Sequence, residues 1–108
     1  MDIFKIEYEE LFKKLKASLP ISASPARELV QILRAKKIHL TLNTQLTITD
    51  VFNSGDISGI TGTIKNDGKD VIICALTHLL FSRDFHLYGE IIAYQKKRAK
   101  RIKKLNNL

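Results

Sequence analysis

The sequence predicts an α+β domain. It would have two N-terminal helices, an antiparallel sheet of four to five short strands (curled, in one version, into a small barrel), and a long C-terminal helix with a basic end. Three observations carry this reading. Apolar residues recur at spacings of three and four near both ends of the chain, as on a helix face. Between those ends the apolar period falls to two, as in a half-buried strand. Two clusters, Asn53-Ser54-Gly55-Asp56 and Asn66-Asp67-Gly68, divide the middle as hairpin turns do.

The first helix is read over residues 2–19. Phe4, Tyr8, Leu11, Phe12, Leu15 and Leu19 form its apolar stripe, and Lys5, Glu9, Glu10, Lys13, Lys14 and Lys16 lie off it. Pro20 stops it, because proline has no amide hydrogen and disfavours helix in the residue before it. After a connector, Pro20-Ile21-Ser22-Ala23, the second helix is expected to start with Ser24 as cap and Pro25 in the first turn. Ala26, Leu29, Val30 and Leu33 would face inward. The helix should end near Lys36 or Lys37, whose charges suit a helix C-terminus.

From Ile38 the alternation Ile38, Leu40, Leu42, Leu46, Ile48 predicts two short strands turning at Asn43-Thr44, or one long strand. The next strand, Ile57 to Ile64, contains Gly59 and Gly62, which mark a bulge, a bend or a close backbone approach. Val71 to Phe81 is apolar on both parities, so it is read as a central strand covered on both faces. Asp84 would cap the last helix, which runs to about Lys104.

A sheet covered on both faces can arise in three ways. The helices divide between the faces, the sheet curls into a barrel, or a second copy covers the open face. A bent Gly59/Gly62 strand preceded by a helix is compatible in architecture with small SH3-like or Sm-like barrels. The chain carries no diagnostic RNA-binding motif of those folds, and a fold does not supply a function. At 108 residues the chain holds one core, hence one domain over 1–108. Within it, 1–20 is an amphipathic helix, 24–95 the core and 96–108 a basic helical extension.

Charge is the strongest asymmetry. The run KKRAKRIKK, Lys96 to Lys104, holds seven of the chain's 18 basic residues and no acid. The other 11 are balanced by 11 acidic residues, so the whole net charge of +7 resides in nine positions. A concentrated cationic end meets nucleic acid, an anionic membrane surface or an acidic protein. Only Tyr94 is aromatic nearby, which argues against stacking on single strands.

Nothing else points to chemistry. Cys74, the lone cysteine, sits mid-strand among Ile and Leu, which suits a buried thiol in a reduced, cytoplasmic protein better than a nucleophile. The beginning, MDIFKIEYEE, lacks the basic region of a signal peptide. The longest apolar run, VIICALTHLLF, has 11 residues, well short of the roughly 20 a membrane helix needs. His78, Asp84 and His86 fall within nine residues but match no metal-ligand spacing. No GxSxG, GxGxxG or Walker loop occurs.

The expected function is a non-enzymatic binding module without cofactor or metal. It would contact DNA or RNA phosphates through Lys96, Lys97, Arg98, Lys100, Arg101, Lys103 and Lys104. The alternative is a homodimeric assembly module whose basic end gives solubility or meets an acidic protein partner.

Overall fold

The computed structural model describes residues 3–54, 59–66 and 70–106. The chain runs α1 (Ile3–Ala17), β1 (Ile21–Pro25), α2 (Arg27–Ala35), β2 (Leu46–Asn53), β3 (Ile60–Asn66) and β4 (Asp70–Ala75). A single 3-10 turn (Leu76–His78), β5 (Leu79–Leu80) and α3 (Tyr88–Asn106) complete it. The strands pair antiparallel in the order β4-β3-β2-β1-β5. The sheet curls into a half barrel, so the α+β class and the barrel-like option both hold.

The reason for the curl is a short connection. β4 and β5 occupy opposite edges of the sheet, yet only Leu76–His78 separates them. In a flat sheet, four inter-strand gaps of about 4.8 Å would set the edges roughly 19 Å apart. The four Cα steps from Ala75 to Leu79 reach at most about 14 Å, and a 3-10 turn reaches less. The edges must therefore approach each other. A bulge in β2 bends the sheet the same way, since Ile48 pairs with Ile64 but Asp50 with Thr63, leaving Thr49 over. The Val51 amide at this bulge donates to Asp50 Oδ1 at 2.8 Å.

One core fills the concave side. It joins Leu11 and Leu15 of α1, Ile21 and Ala23 of β1, Leu29, Val30 and Leu33 of α2, and Leu46, Ile48 and Val51 of β2. Ile60, Ile64, Ile72, Cys74, Leu76 and Leu79 continue it, and Leu87, Ile91 and Tyr94 close it. Phe12 and Leu19 pack at its margin. The side chains of Phe4 and Tyr8 lie outside the described residues.

Several boundaries differ from the sequence reading. Ser24 and Pro25 do not start α2 but end β1, where they pair with Leu80 and Leu79. The helix begins at Arg27 behind Ala26, which makes no side-chain cap. The Ala26 amide instead donates to the His78 carbonyl at 2.9 Å, so tertiary pairing overrides the local cap signal. Residues 38–45 form a loop rather than strands. There Thr44 N donates to Thr41 O at 3.1 Å and Thr41 N to Thr44 Oγ1 at 2.9 Å, a self-contained turn. Only Leu40 of that loop is sealed in the core.

The stretch Val71 to Phe81 is not one central strand. It is two edge strands, and its mixed parity has a simple cause. Ile72, Cys74 and Leu76 point inward, the 3-10 turn shifts the parity, and Leu79 then points inward. The strand predicted over Ile57 to Ile64 runs Ile60–Asn66, with Ile57 and Ser58 outside the described residues. So are Gly55, Asp56, Asp67 and Gly68 of the two turns. The flanking pairs Asn53–Ile60 and Asn66–Asp70 show that both hairpins form. Asp84 does not cap α3, which begins four residues later. Its amide donates to Ser82 Oγ at 3.2 Å within the preceding turn.

The end of α2 falls at the predicted place. Ile38 N donates to Leu33 O at 2.8 Å and Lys37 N to Arg34 O at 3.0 Å, a Schellman motif. It requires a left-handed residue, and Lys37 supplies one at φ 65°. Lys37→Gly removes the Cβ penalty of that conformation and is expected to stabilise the fold by about 0.5–1 kcal/mol, after its own unfolded-state entropy is counted. Urea denaturation measures it: an unchanged or lower midpoint contradicts the strain.

Candidate nucleic-acid interface

α3 presents two unlike faces. Leu87 just before the helix and Ile91, Tyr94 and Arg98 within it are buried. Their spacings of four, three and four define one side. Gln95 lies beside them, half-buried, and its Nε2 donates to Leu76 O at 3.0 Å and Leu79 O at 2.9 Å. The helix thus clasps both ends of the turn that closes the sheet.

Spacing in the sequence sets Tyr88, Ile91, Ile92, Gln95, Ala99 and Ile102 on one stripe of the last helix. In the structure Ala99 and Ile102 are exposed, and the buried stripe is rotated toward Tyr94 and Arg98. Apolar spacing misses this because an arginine counts there as polar, although its long aliphatic stem packs like a hydrophobe. Arg98 retains only 1% of its exposure. The basic turns therefore do not all project from the body, since the docked part of the helix extends through Arg98.

Gly59 makes room for that docking. It has φ +67°, a left-handed conformation, and a Cβ there would collide with the Tyr94 hydroxyl and come within 3.0 Å of Arg98 Nε. The Tyr94 hydroxyl accepts a hydrogen bond from the Ile60 amide at 2.8 Å, in a buried position. Of the three roles the sequence left open at Gly59, a bulge, a bend or a close approach, the structure shows a close approach, by Tyr94 and Arg98. At the start of the helix, Glu90 pairs with Lys14 of α1 at 3.1 Å. Both side chains are about half exposed, so this pair adds little stability.

The opposite side of the helix is cationic. Lys96, Lys97, Lys100 and Lys103 are all exposed. At about 100° per residue they fall within an arc of roughly 120° centred opposite Arg98. Arg101 is partly buried at the margin. The side chain of Lys104 lies outside the described residues. Of the seven predicted contact residues, four share one solvent face and Arg98 faces the body.

Other reactive side chains are scattered. Burial pushes the Cys74 thiol from its ordinary 9.0 up to about 11, which disfavours the nucleophilic thiolate. His39 is exposed, and His78 is half-buried in the 3-10 turn. His86 Nε2 lies 3.3 Å from Ser18 Oγ, with its ring edge-on to Phe85. Among the described residues no three His, Cys, Asp or Glu side chains form a metal-ligand group. No described helix is long and apolar enough to cross a membrane. Compared with protein-family models, curated proteins and solved structures, the chain matches none.

Two outcomes follow from this geometry. Arg98→Gln should lower the melting temperature by several degrees, because a buried packed side chain is shortened, whereas Lys96→Gln or Lys100→Gln should stay within about 0.5 kcal/mol of the parent. Equal small effects at all three positions would contradict the docked arrangement. The Cys74 thiol has a folded pKa above its unfolded one. Its contribution is thus intact below pH 9.0 and is lost as pH rises toward about 11. Stability measured over that range should fall less steeply in Cys74→Ala than in the parent.

Proposed function

We propose that this protein is a non-enzymatic module that binds nucleic-acid phosphates through the lysine face of α3. One observation carries the reading: Lys96, Lys97, Lys100 and Lys103 face solvent along a helix whose other side is anchored. Lysines held on a fixed helix meet a polyanion with less ordering cost than lysines on a flexible tail. Lys96 and Lys100, one turn apart, repel each other, and a phosphate between them relieves that repulsion. Arg101 borders the contact, and Arg98 holds the helix in place. With no aromatic residue in the run Lys96 to Lys104, the contact is to backbone phosphate, independent of base sequence, on DNA or RNA.

A cytoplasmic setting fits a lone, free, buried cysteine. We also propose that the chain forms a homodimer, although not through Ile72, Leu76 and Leu80, the row that a single strand over Val71 to Phe81 would leave for a second copy to cover. Ile72 and Leu76 are sealed in the chain's own core. What favours the dimer now is Val71 and Ile73, which keep 66% and 68% of their exposure. An acidic protein partner for the lysine face is the competing reading of the same charge.

Anisotropy titrations with random DNA and RNA across a salt series test the proposal. Log affinity should fall linearly with log salt, with a slope of about −0.9 per phosphate neutralised on duplex DNA. Replacing Lys96, Lys97, Lys100 and Lys103 by Gln should reduce that slope by about three to four and abolish binding near physiological salt. Binding that survives the four substitutions, or affinity insensitive to salt, overturns the reading.

A further inference from the structure

The half barrel leaves one edge open. β4 is the last strand in the sheet order, and among the described residues no strand pairs with its outer edge. β5, only two residues long, engages β1 at Ser24 and Pro25 and closes nothing along β4. An unpaired edge presents a row of amide and carbonyl groups that accepts another strand. Natural edges are blunted by proline, bulges or charges, yet from Val71 to Ala75 this one carries none of them.

Its exposed side chains are Val71 and Ile73, the two most exposed large hydrophobics described. They stand on the convex face, two positions apart, with Ile72 between them pointing into the core. Read in either direction, Val71-Ile72-Ile73 presents β-branched side chains in the same places. An antiparallel pairing centred on Ile72 sets Val71 opposite Ile73 of the second strand and Ile73 opposite its Val71. Both pairs lie on the same face. The patch is thus complementary to itself under a two-fold axis, the property an isologous interface needs.

The other end of β4 sets the register. Arg98 and Ile102 of α3 stand beside Ile73, Cys74 and Ala75 around a groove of about 300 Å3. A centre at Ile72 uses residues 70–74 and keeps the incoming strand's middle away from the helix, whereas a centre at Ile73 drives it toward Ala75. Among the described residues, Lys65, paired with Val71 across β3, is the charge beside the patch on this face, and the exposed lysines of α3 point away from the helix's docked side.

We infer that β4 pairs with β4 of a second copy, antiparallel about Ile72, joining two half barrels into one continuous sheet. This rests on the homodimer reading above and names its seam. A strand edge with two apolar pairs is a small interface, so the dimer should be weak and depend on concentration. It would carry two lysine faces, raising avidity for a polyanion without a new contact.

Sedimentation equilibrium over a concentration series tests it, on the wild-type chain, Ile73→Lys and Ile32→Lys. Ile32 is an exposed residue of α2, a helix that packs against β1 and the 3-10 turn, and serves as the control. The expected result is dimerisation of the wild type and of Ile32→Lys, with Ile73→Lys a folded monomer by circular dichroism. A wild type that stays monomeric overturns the homodimer reading and the seam together. A dimer that persists in Ile73→Lys overturns the seam alone. Oxidative cross-linking gives a second readout. A mixture of Val71→Cys and Ile73→Cys chains should link readily, and neither variant alone should. A link formed by Ile73→Cys alone overturns the register.

Discussion

The chain leaves β4 at one edge of the sheet and enters β5 at the other after only Leu76–His78. No flat sheet of five strands can satisfy so short a connection, and the curl it forces places the apolar rows of β1 to β4 on one concave side. That side is narrow enough for α1, α2 and the first turns of α3 to share a single core with it. The same turn becomes the anchor of α3, because Leu76 within it and Leu79 just after it direct their carbonyls to the amide of Gln95. On the other flank the Ala26 amide reaches the His78 carbonyl, which sets the start of α2. Closure, the placing of α2 and the docking of the basic helix are consequences of one turn.

Much of this was legible in the sequence because amphipathic period is a strong signal over long elements. Leu11 and Leu15 in α1, Leu29, Val30 and Leu33 in α2, and both hairpins follow from spacing and turn chemistry. What failed was short or depended on distant partners. Ser24-Pro25 carries a genuine helix-start signal, but pairing with Leu79 and Leu80 captures it for β1, and the sign of that was the alternation Ile21, Ala23, Pro25. The alternation through Leu40 and Leu42 resembled a strand, yet Thr41 and Thr44 bond each other and leave no ladder. The run from Val71 to Phe81 was misread because a parity switch and two-sided burial look alike in a list of apolar residues. His78, at the end of the turn, is where the pattern breaks.

The basic segment was legible as a charge and illegible as a geometry. Spacing alone gave all seven cations one role, since none of them counts as apolar. The structure divides them by side-chain shape. Arg98 has a stem long enough to cover Gly59 and sits beside Tyr94, whose hydroxyl occupies the space a Cβ on Gly59 would need. The signal that could have found it is the i, i+4 relation of Tyr94 to Arg98, opposite a glycine that precedes an alternating strand. Lys96, Lys97, Lys100 and Lys103, compact strongly hydrated charges on flexible stems, remain in water. An arginine for packing and lysines for solvent is what the two side chains' hydration favours.

The connection that closes the sheet also limits how far it can close. After Leu80 the chain turns away through Phe81 to Leu87 to deliver α3, and Phe81 stacks on Phe85 at 6.3 Å across that turn. Extending β5 would continue its ladder along β1, but the residues needed are those that position Leu87 and Ile91 in the core. β5 therefore stays two residues long, and the half barrel remains open along β4 while the chain after Leu80 goes to deliver the basic helix. Anchored cations and an unsealed strand edge are two results of the same economy of chain, and Val71 and Ile73 lie where that economy leaves apolar surface in water.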